Sequence, residues 1–232
     1  MDTRGLLDQL LKSGQELLQQ NVAGKSAGHA KGNSGGSNLG SLLTGAGGGA
    51  LAAGALGLLL GNKRARKMSG KALTYGGLAA LGVLAYKAYG NWQAQQATAP
   101  QPEPRTLDRL PAAQAEQHSE AILKALVAAA KSDGHVDARE RQLIEGELAK
   151  LTQDKELQGW LDAELNKPLD PADVARAART PEMAAEMYIA SVLIVDEEHF
   201  MERVYLDELA RQLQLDPGLK AELERQVRQE LQ

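Results

Sequence analysis

Two short acidic loops hold most of the residues whose types and spacing suit chemistry. The first lies in LVAAAKSDGHVDARERQLIEGEL (126–148) and the second in SVLIVDEEHFMERVYLDELARQL (191–213). In each, an apolar stretch ends at an aspartate (Asp133, Asp196), a short loop carries a histidine (His135, His199), and a Glu-Arg pair opens the next stretch (Glu140-Arg141, Glu202-Arg203). The Asp-to-Glu spacing is seven residues in the first and six in the second, the pattern of a degenerate duplicated helix–acidic loop–helix unit. Asp133, Asp137 and Glu140, with Asp196, Glu197, Glu198 and Glu202, offer the carboxylate oxygens that a hard divalent cation needs. His135 and His199 in matching loops suit a pH or metal sensor.

A plainer account stands beside this one. The EF-hand pattern, with acidic or amide residues alternating before a glycine and a glutamate at position twelve, is absent. Asp137 reads as a helix cap, Glu140 completes a capping box, and Glu202 suits a helix N-terminus. A divalent cation is therefore the one cofactor the pattern admits, and it is not required. His29 and His118 have no obvious companions for transition-metal binding.

The elements that would position these loops are helices. Aromatic residues make up 3% of the chain and only one is Phe, so a core must come from Leu, Ala, Val, Ile and Met, which favours helix on helix over a sandwich. The absence of cysteine excludes disulfides, Cys-ligated zinc and thiol catalysis. Asp170-Pro171, Thr180-Pro181 and Asp216-Pro217 each set a capping side chain before a proline at the first helical position. Thr152 is expected to cap a helix carrying Leu157, Trp160, Leu161 and Leu165. The spacing predicts about seven helices, near 107–131, 137–150, 153–166, 171–178, 181–196, 200–214 and 217–231. The expected core includes Ile122, Leu126, Leu143, Ile144, Leu148, Met187, Leu193, Ile194, Leu206 and Leu209.

The front of the chain differs in character. Residues 1–20 space their leucines as a short amphipathic helix, and residues 21–40 read as a Gly/Ser linker. Gly24-Lys25-Ser26 lacks the upstream glycine of a phosphate loop, position 19 being Gln. Residues 34–61 carry no charge, and Gly45, Gly49, Ala53, Gly57 and Gly61 fall every fourth residue. The basic stretch 62–71 follows, with Lys63, Arg64, Arg66, Lys67 and Lys71, and then a second uncharged run at 72–86 in which Ala72, Gly76 and Ala80 repeat the small-residue spacing. Small residues at this spacing form a close-packing face between membrane helices. Lys87 can snorkel, and Tyr86, Tyr89 and Trp92 suit an interfacial belt. The expectation is a membrane hairpin over 41–92, a Pro-rich linker at 93–106 and a helical domain over 107–232.

Charge divides along the same line. Residues 1–104 hold ten Lys/Arg against four Asp/Glu, and residues 105–232 hold sixteen against twenty-six, so a balance of +6 is joined to one of −10. An acidic helical domain argues against nucleic acid as its partner. The basic stretch favours a cytoplasmic loop between two spans, which puts the acidic domain in the periplasm if both runs span or only the second does; a lone first span would hold it in the cytoplasm.

AAAKSDGHVDARERQLI resembles the tellurite-resistance TerB-like superfamily, through Asp133, Gly134, Val136 and Glu140. The glycine-rich run, NKRARK, PLDP (168–171) and VDEEHFMERVYL (195–206) make the whole chain similar to inner membrane proteins of the YebE type. The resemblance implies an all-α fold of the TerB-like kind, membrane attachment and involvement in envelope or chemical stress, with metal sensing proposed for such domains; it supplies no reaction. No GxSxG, HExxH or dinucleotide fingerprint occurs, and no enzyme or small-molecule substrate is expected. The expected function is a membrane-anchored, non-enzymatic protein of the bacterial inner membrane whose acidic domain binds a protein partner or a cation in a stress response, while the glycine ridge pairs the two apolar helices or drives self-association. The alternative is a divalent-cation sensor or buffer built on both acidic loops.

Overall fold

A computed structural model describes residues 2–8, 78–96, 103–132, 152–195 and 199–230. Every regular element among them is helical, as an aliphatic, Ala-rich composition dictates. The elements are α1 (Leu78–Gln96), a 3-10 turn (Leu107–Arg109), α2 (Ala112–Ala130), α3 (Lys155–Asn166), α4 (Pro171–Ala175), α5 (Pro181–Ile194), α6 (Phe200–Gln212) and α7 (Pro217–Glu230). Residues 3–8 form a further helical turn at the N-terminus.

The caps foreseen before proline form. The Asp170 carboxylate accepts from the Ala172 N–H, the Thr180 hydroxyl from the Met183 N–H, and the Asp216 carboxylate from the Gly218 and Leu219 N–H groups. The cap of α3 is Asp154, which accepts from the Glu156 and Leu157 N–H groups. Thr152 accepts instead from the Asp154 N–H, so it supports the cap without being it. The helix expected over 107–131 breaks at Pro111, because the residue before a proline is pushed out of the helical region, and Leu110 sits at φ −92°, ψ 148°. At the end of α6, Gln214 takes a left-handed φ of 55° so that the Leu215 N–H reaches the Ala210 carbonyl.

α5 is the hub. Residues 183–192 are all buried, so no polar stripe remains, which is the pattern of a helix surrounded on every side. It packs on α1, α2, α6 and α7. Ile122, Met187, Leu206 and Leu209 lie in the core as expected, with Leu126, Leu193 and Ile194 packed at its margin; Leu143, Ile144 and Leu148 lie outside the described residues.

The second apolar run corrects the expected hairpin. Among the described residues no helix is long and apolar enough to cross a membrane. α1 instead buries Leu81, Leu84, Ala85 and Ala88 in the same core as α5. It runs antiparallel to α7 and is fastened along it, Lys87 to Glu230 at 3.7 Å, Asn91 Nδ2 donating to Glu222 Oε1 at 2.8 Å, and Trp92 Nε1 donating to Asp216 Oδ1 at 3.0 Å. Tyr86 donates to Glu103 and lies under the Arg109 guanidinium, 3.7 Å from its ring centroid. The cationic and aromatic residues that suit a bilayer interface here meet acidic partners on the bundle.

Of the small residues expected at a membrane interface, Ala80 alone is described, at intermediate exposure. The glycine that permits close approach is Gly82, where a Cβ would meet the Asp108 backbone nitrogen at 2.9 Å. Gly45, Gly49, Ala53, Gly57, Gly61, Ala72 and Gly76, and the basic residues Lys63, Arg64, Arg66, Lys67 and Lys71, lie outside the described residues.

Candidate functional site

The start of α6 presents the most conspicuous chemistry on the described surface. Phe200 is 68% exposed, Met201 63% and Val204 45%, while the opposite side of the helix buries Tyr205, Leu206, Leu209 and Ala210. The i, i+1, i+4 spacing places all three apolar side chains on one outward face. Glu202 points inward instead, almost wholly buried, and its Oε1 lies 3.0 Å from His199 Nδ1. The His199–Glu202 contact spans three residues and secures the first turn of the helix, where a carboxylate also complements the helix dipole.

A second polar centre is buried. Glu186 on α5 is fully buried and accepts from the Leu107 N–H at 2.5 Å. Its other oxygen lies 2.5 Å from Nδ1 of His118 on α2. Burial pushes the Glu186 carboxyl above its ordinary value, while the His118 contact and the Leu107 N–H act in the opposite direction. The centre joins α5, α2 and the 3-10 turn, and all its groups point at one another. His118 was without a visible partner in sequence because its carboxylate stands 68 residues away.

The N-terminal turn makes a third junction. The Thr3 N–H donates to Glu116 Oε1 at 2.6 Å, the Thr3 hydroxyl donates to the same oxygen, and the Arg4 N–H reaches Oε2 at 3.3 Å. Leu6 and Leu7 are buried in the main core.

A shallow cleft between α2, α3 and α4 is lined by Lys131, Glu164, Lys167 and Asp173. Its charges are already engaged: Lys167 pairs with Glu164, and Asp173 with Lys124 at 2.8 Å and Arg176 at 2.7 Å. These partners, the Lys124 hydrogen bond foremost, hold the Asp173 carboxyl down to about 2. A carboxylate kept ionised by two cations is a poor general base, so the cleft offers anchored side chains rather than reactive ones.

Of the residues singled out for cation binding or sensing, Glu202 and His199 are brought together on α6. Asp133, Asp137, Glu140, Asp196, Glu197, Glu198 and His135 lie outside the described residues. Among the described residues no group of three or more His, Asp or Glu side chains is placed to hold a metal ion. Sequence reasoning passed over the outward side chains of Phe200, Met201 and Val204, although apolar residues on the polar side of the helix carrying Leu206 and Leu209 were the available signal.

The chain is 32% identical over 117 residues to the Yersinia enterocolitica protein described as "Uncharacterized protein in ampR 5'region", covering 50% of this chain and 84% of that relative. No solved structure matches it. Residues 45–227, well over half of the chain, match the family described as "Protein of unknown function (DUF533)", and the chain belongs to that family.

Proposed function

We propose that the chain is a non-enzymatic binding module held at the bacterial inner membrane, whose helical bundle docks a protein partner on the apolar start of α6. The observation that carries this reading is the outward exposure of Phe200 and Met201. Covering a large apolar side chain is worth about 1.5–3 kcal/mol, and clustered exposed apolar residues mark interaction sites. The half of the chain that forms most of the bundle carries a balance of −10, so the fitting partner presents an apolar anchor ringed by basic side chains.

Attachment to the membrane is assigned to the glycine-rich run at 42–61, which lies outside the described residues and whose lack of charge suits an apolar environment. The TerB-like and YebE-like resemblances support a role in envelope or chemical stress. The seating of α1 in the bundle speaks against the two arrangements that use the second run as a span, the ones that put the acidic domain in the periplasm. The basic stretch at 62–71 then favours the cytoplasmic face for the bundle.

The test is photo-crosslinking in intact cells from a probe at Val204, with and without Phe200→Ser and Met201→Ser. A discrete adduct that disappears in the double variant, while the bundle melts as before, is the expected outcome. Adducts that persist unchanged in that variant would sink the assignment of α6.

A further inference from the structure

We propose that Met201 is an oxidation switch for the apolar face at the start of α6, turned off when a peroxide converts its thioether to the sulfoxide. The inference rests on the docking reading above and adds how that face is regulated. Cysteine thiolates, the usual first target of a peroxide, are absent from the chain, so its sulfur chemistry falls to methionine. The three methionines among the described residues sit in opposite settings. Met183 and Met187 on α5 are 2% and 0% exposed, and the Met183 sulfur already accepts from the Arg179 N–H at 3.4 Å. Met201 is 63% exposed. Access to the sulfur lone pair decides how fast a thioether reacts, so an oxidant reaches Met201 while the core shields the other two.

The sulfur lone pair attacks one peroxide oxygen, the O–O bond breaks and an S–O bond forms. The departing hydroxide takes up the proton of the transferred oxygen and leaves as water. The sulfur is thereby oxidised by two electrons and the peroxide reduced. Two features make the product a switch rather than damage. Met201 is part of neither the core nor the apolar residues packed at its margin, so the bundle keeps its packing when this sulfur is oxidised. The three- and four-residue spacings set Val204 between Met201 and Phe200 on the outward face, so the S–O dipole stands within the surface a partner covers. An apolar anchor seated there must strip water from that oxygen and offers no donor in return. A methionine sulfoxide reductase restores the thioether, and with it the face.

The full-length protein is treated with hydrogen peroxide, each methionine is followed by peptide mass mapping, and thermal melting is recorded alongside. Intact cells carrying the crosslinking probe at Val204 receive the same oxidant before irradiation, in the parent and in Met201→Leu. Met201 should be oxidised about tenfold faster than Met183 or Met187, with no change in melting temperature. The adduct should fall by about tenfold in the parent and persist in Met201→Leu. Met201→Gln, which fixes a polar amide at the position, should lose the adduct without oxidant. Oxidation spread evenly over the three, a fall in melting temperature, an adduct that survives oxidation of Met201, or an equal loss in Met201→Leu would each overturn the switch and leave the docking face standing. An adduct missing before any oxidant is added would overturn the docking reading, and the switch with it.

Discussion

Replacing Glu186 with Ala tests the buried polar centre most directly. The substitution removes both acceptor oxygens, leaving the Leu107 N–H and His118 Nδ1 facing a site from which water is excluded. An unsatisfied buried donor costs about 1–3 kcal/mol, so orphaning both partners of Glu186 costs about 2–6 kcal/mol in all. A loss of that size is a large part of the roughly 5–15 kcal/mol that holds a domain together and corresponds to a fall in melting temperature of roughly 10–15 °C. Glu186→Gln keeps a carbonyl for the Leu107 N–H and an amide that can donate to a His118 tautomer with its proton on Nε2, so it should cost about 1 kcal/mol. The sign of the pH dependence follows from burial. A carboxyl raised above its unfolded value of 4.5 contributes stability that is fully present below 4.5 and is lost as pH rises through the higher folded value. The difference between parent and Gln variant should therefore shift in the parent's favour on mild acidification. Urea unfolding followed by far-UV circular dichroism at pH 7 and pH 5 reads both effects. An Ala variant within about 1 kcal/mol of the parent would refute the claim that Glu186 is buried and singly responsible for its two partners.

Other consequences can be read by the same assay. Tyr205 Oη is buried and meets Ser191 at a geometry too poor for a good hydrogen bond, so Tyr205→Phe should change stability by less than about 1 kcal/mol; a larger loss would mean that this contact is a strong one. Gly82→Ala should cost about 1–2 kcal/mol, because a Cβ there meets the Asp108 backbone and overpacking outweighs the gain in helix propensity. Gly159→Ala, with nothing within 4 Å on α3, should instead stabilise by about 0.5–1 kcal/mol, and the opposite ordering of the two would disprove the close approach of α1 to the 3-10 turn. Acid should unfold the bundle below about pH 4. The Arg225 hydrogen bond holds the Glu222 carboxyl down to about 2, and Lys124 with Arg176 does the same for Asp173. Each contributes stability present above its unfolded value, 4.5 and 3.8 respectively, and lost as pH falls through about 2. Titration of ellipticity between pH 5 and pH 2 that stays flat would contradict this.

The helix starts at Pro171, Pro181 and Pro217 were legible because capping is local. Asp170, Thr180 and Asp216 announce themselves by their chemistry and by the proline that follows, with no distant partner needed. The core leucines of α6 were legible for the same reason, through their spacing. The role of α1 was not, since Lys87, Tyr86, Tyr89 and Trp92 make an amphiphilic pattern that satisfies a bilayer interface and an acidic helix equally well. What decides between them is Glu230 and Glu222 on α7 and Asp216 at its cap, more than a hundred residues downstream. The His118–Glu186 contact was hidden for the same reason: both residues look ordinary alone, and only the packing of α2 on α5 brings them together. The outward face of α6 was hidden by emphasis, because its neighbouring carboxylates drew attention to cation chemistry.

The pairing of α1 with α7 also sets an order of events during synthesis. Asn91 waits for a partner 131 residues further along the chain. At roughly 5–20 residues per second, the ribosome needs on the order of ten seconds to deliver it. Throughout that interval the glycine-rich run has already been made, while the surface of α1 that α7 will cover stays open. A bilayer or a chaperone thus has first access to the front of the chain, and the last fourteen-residue helix closes the bundle behind it.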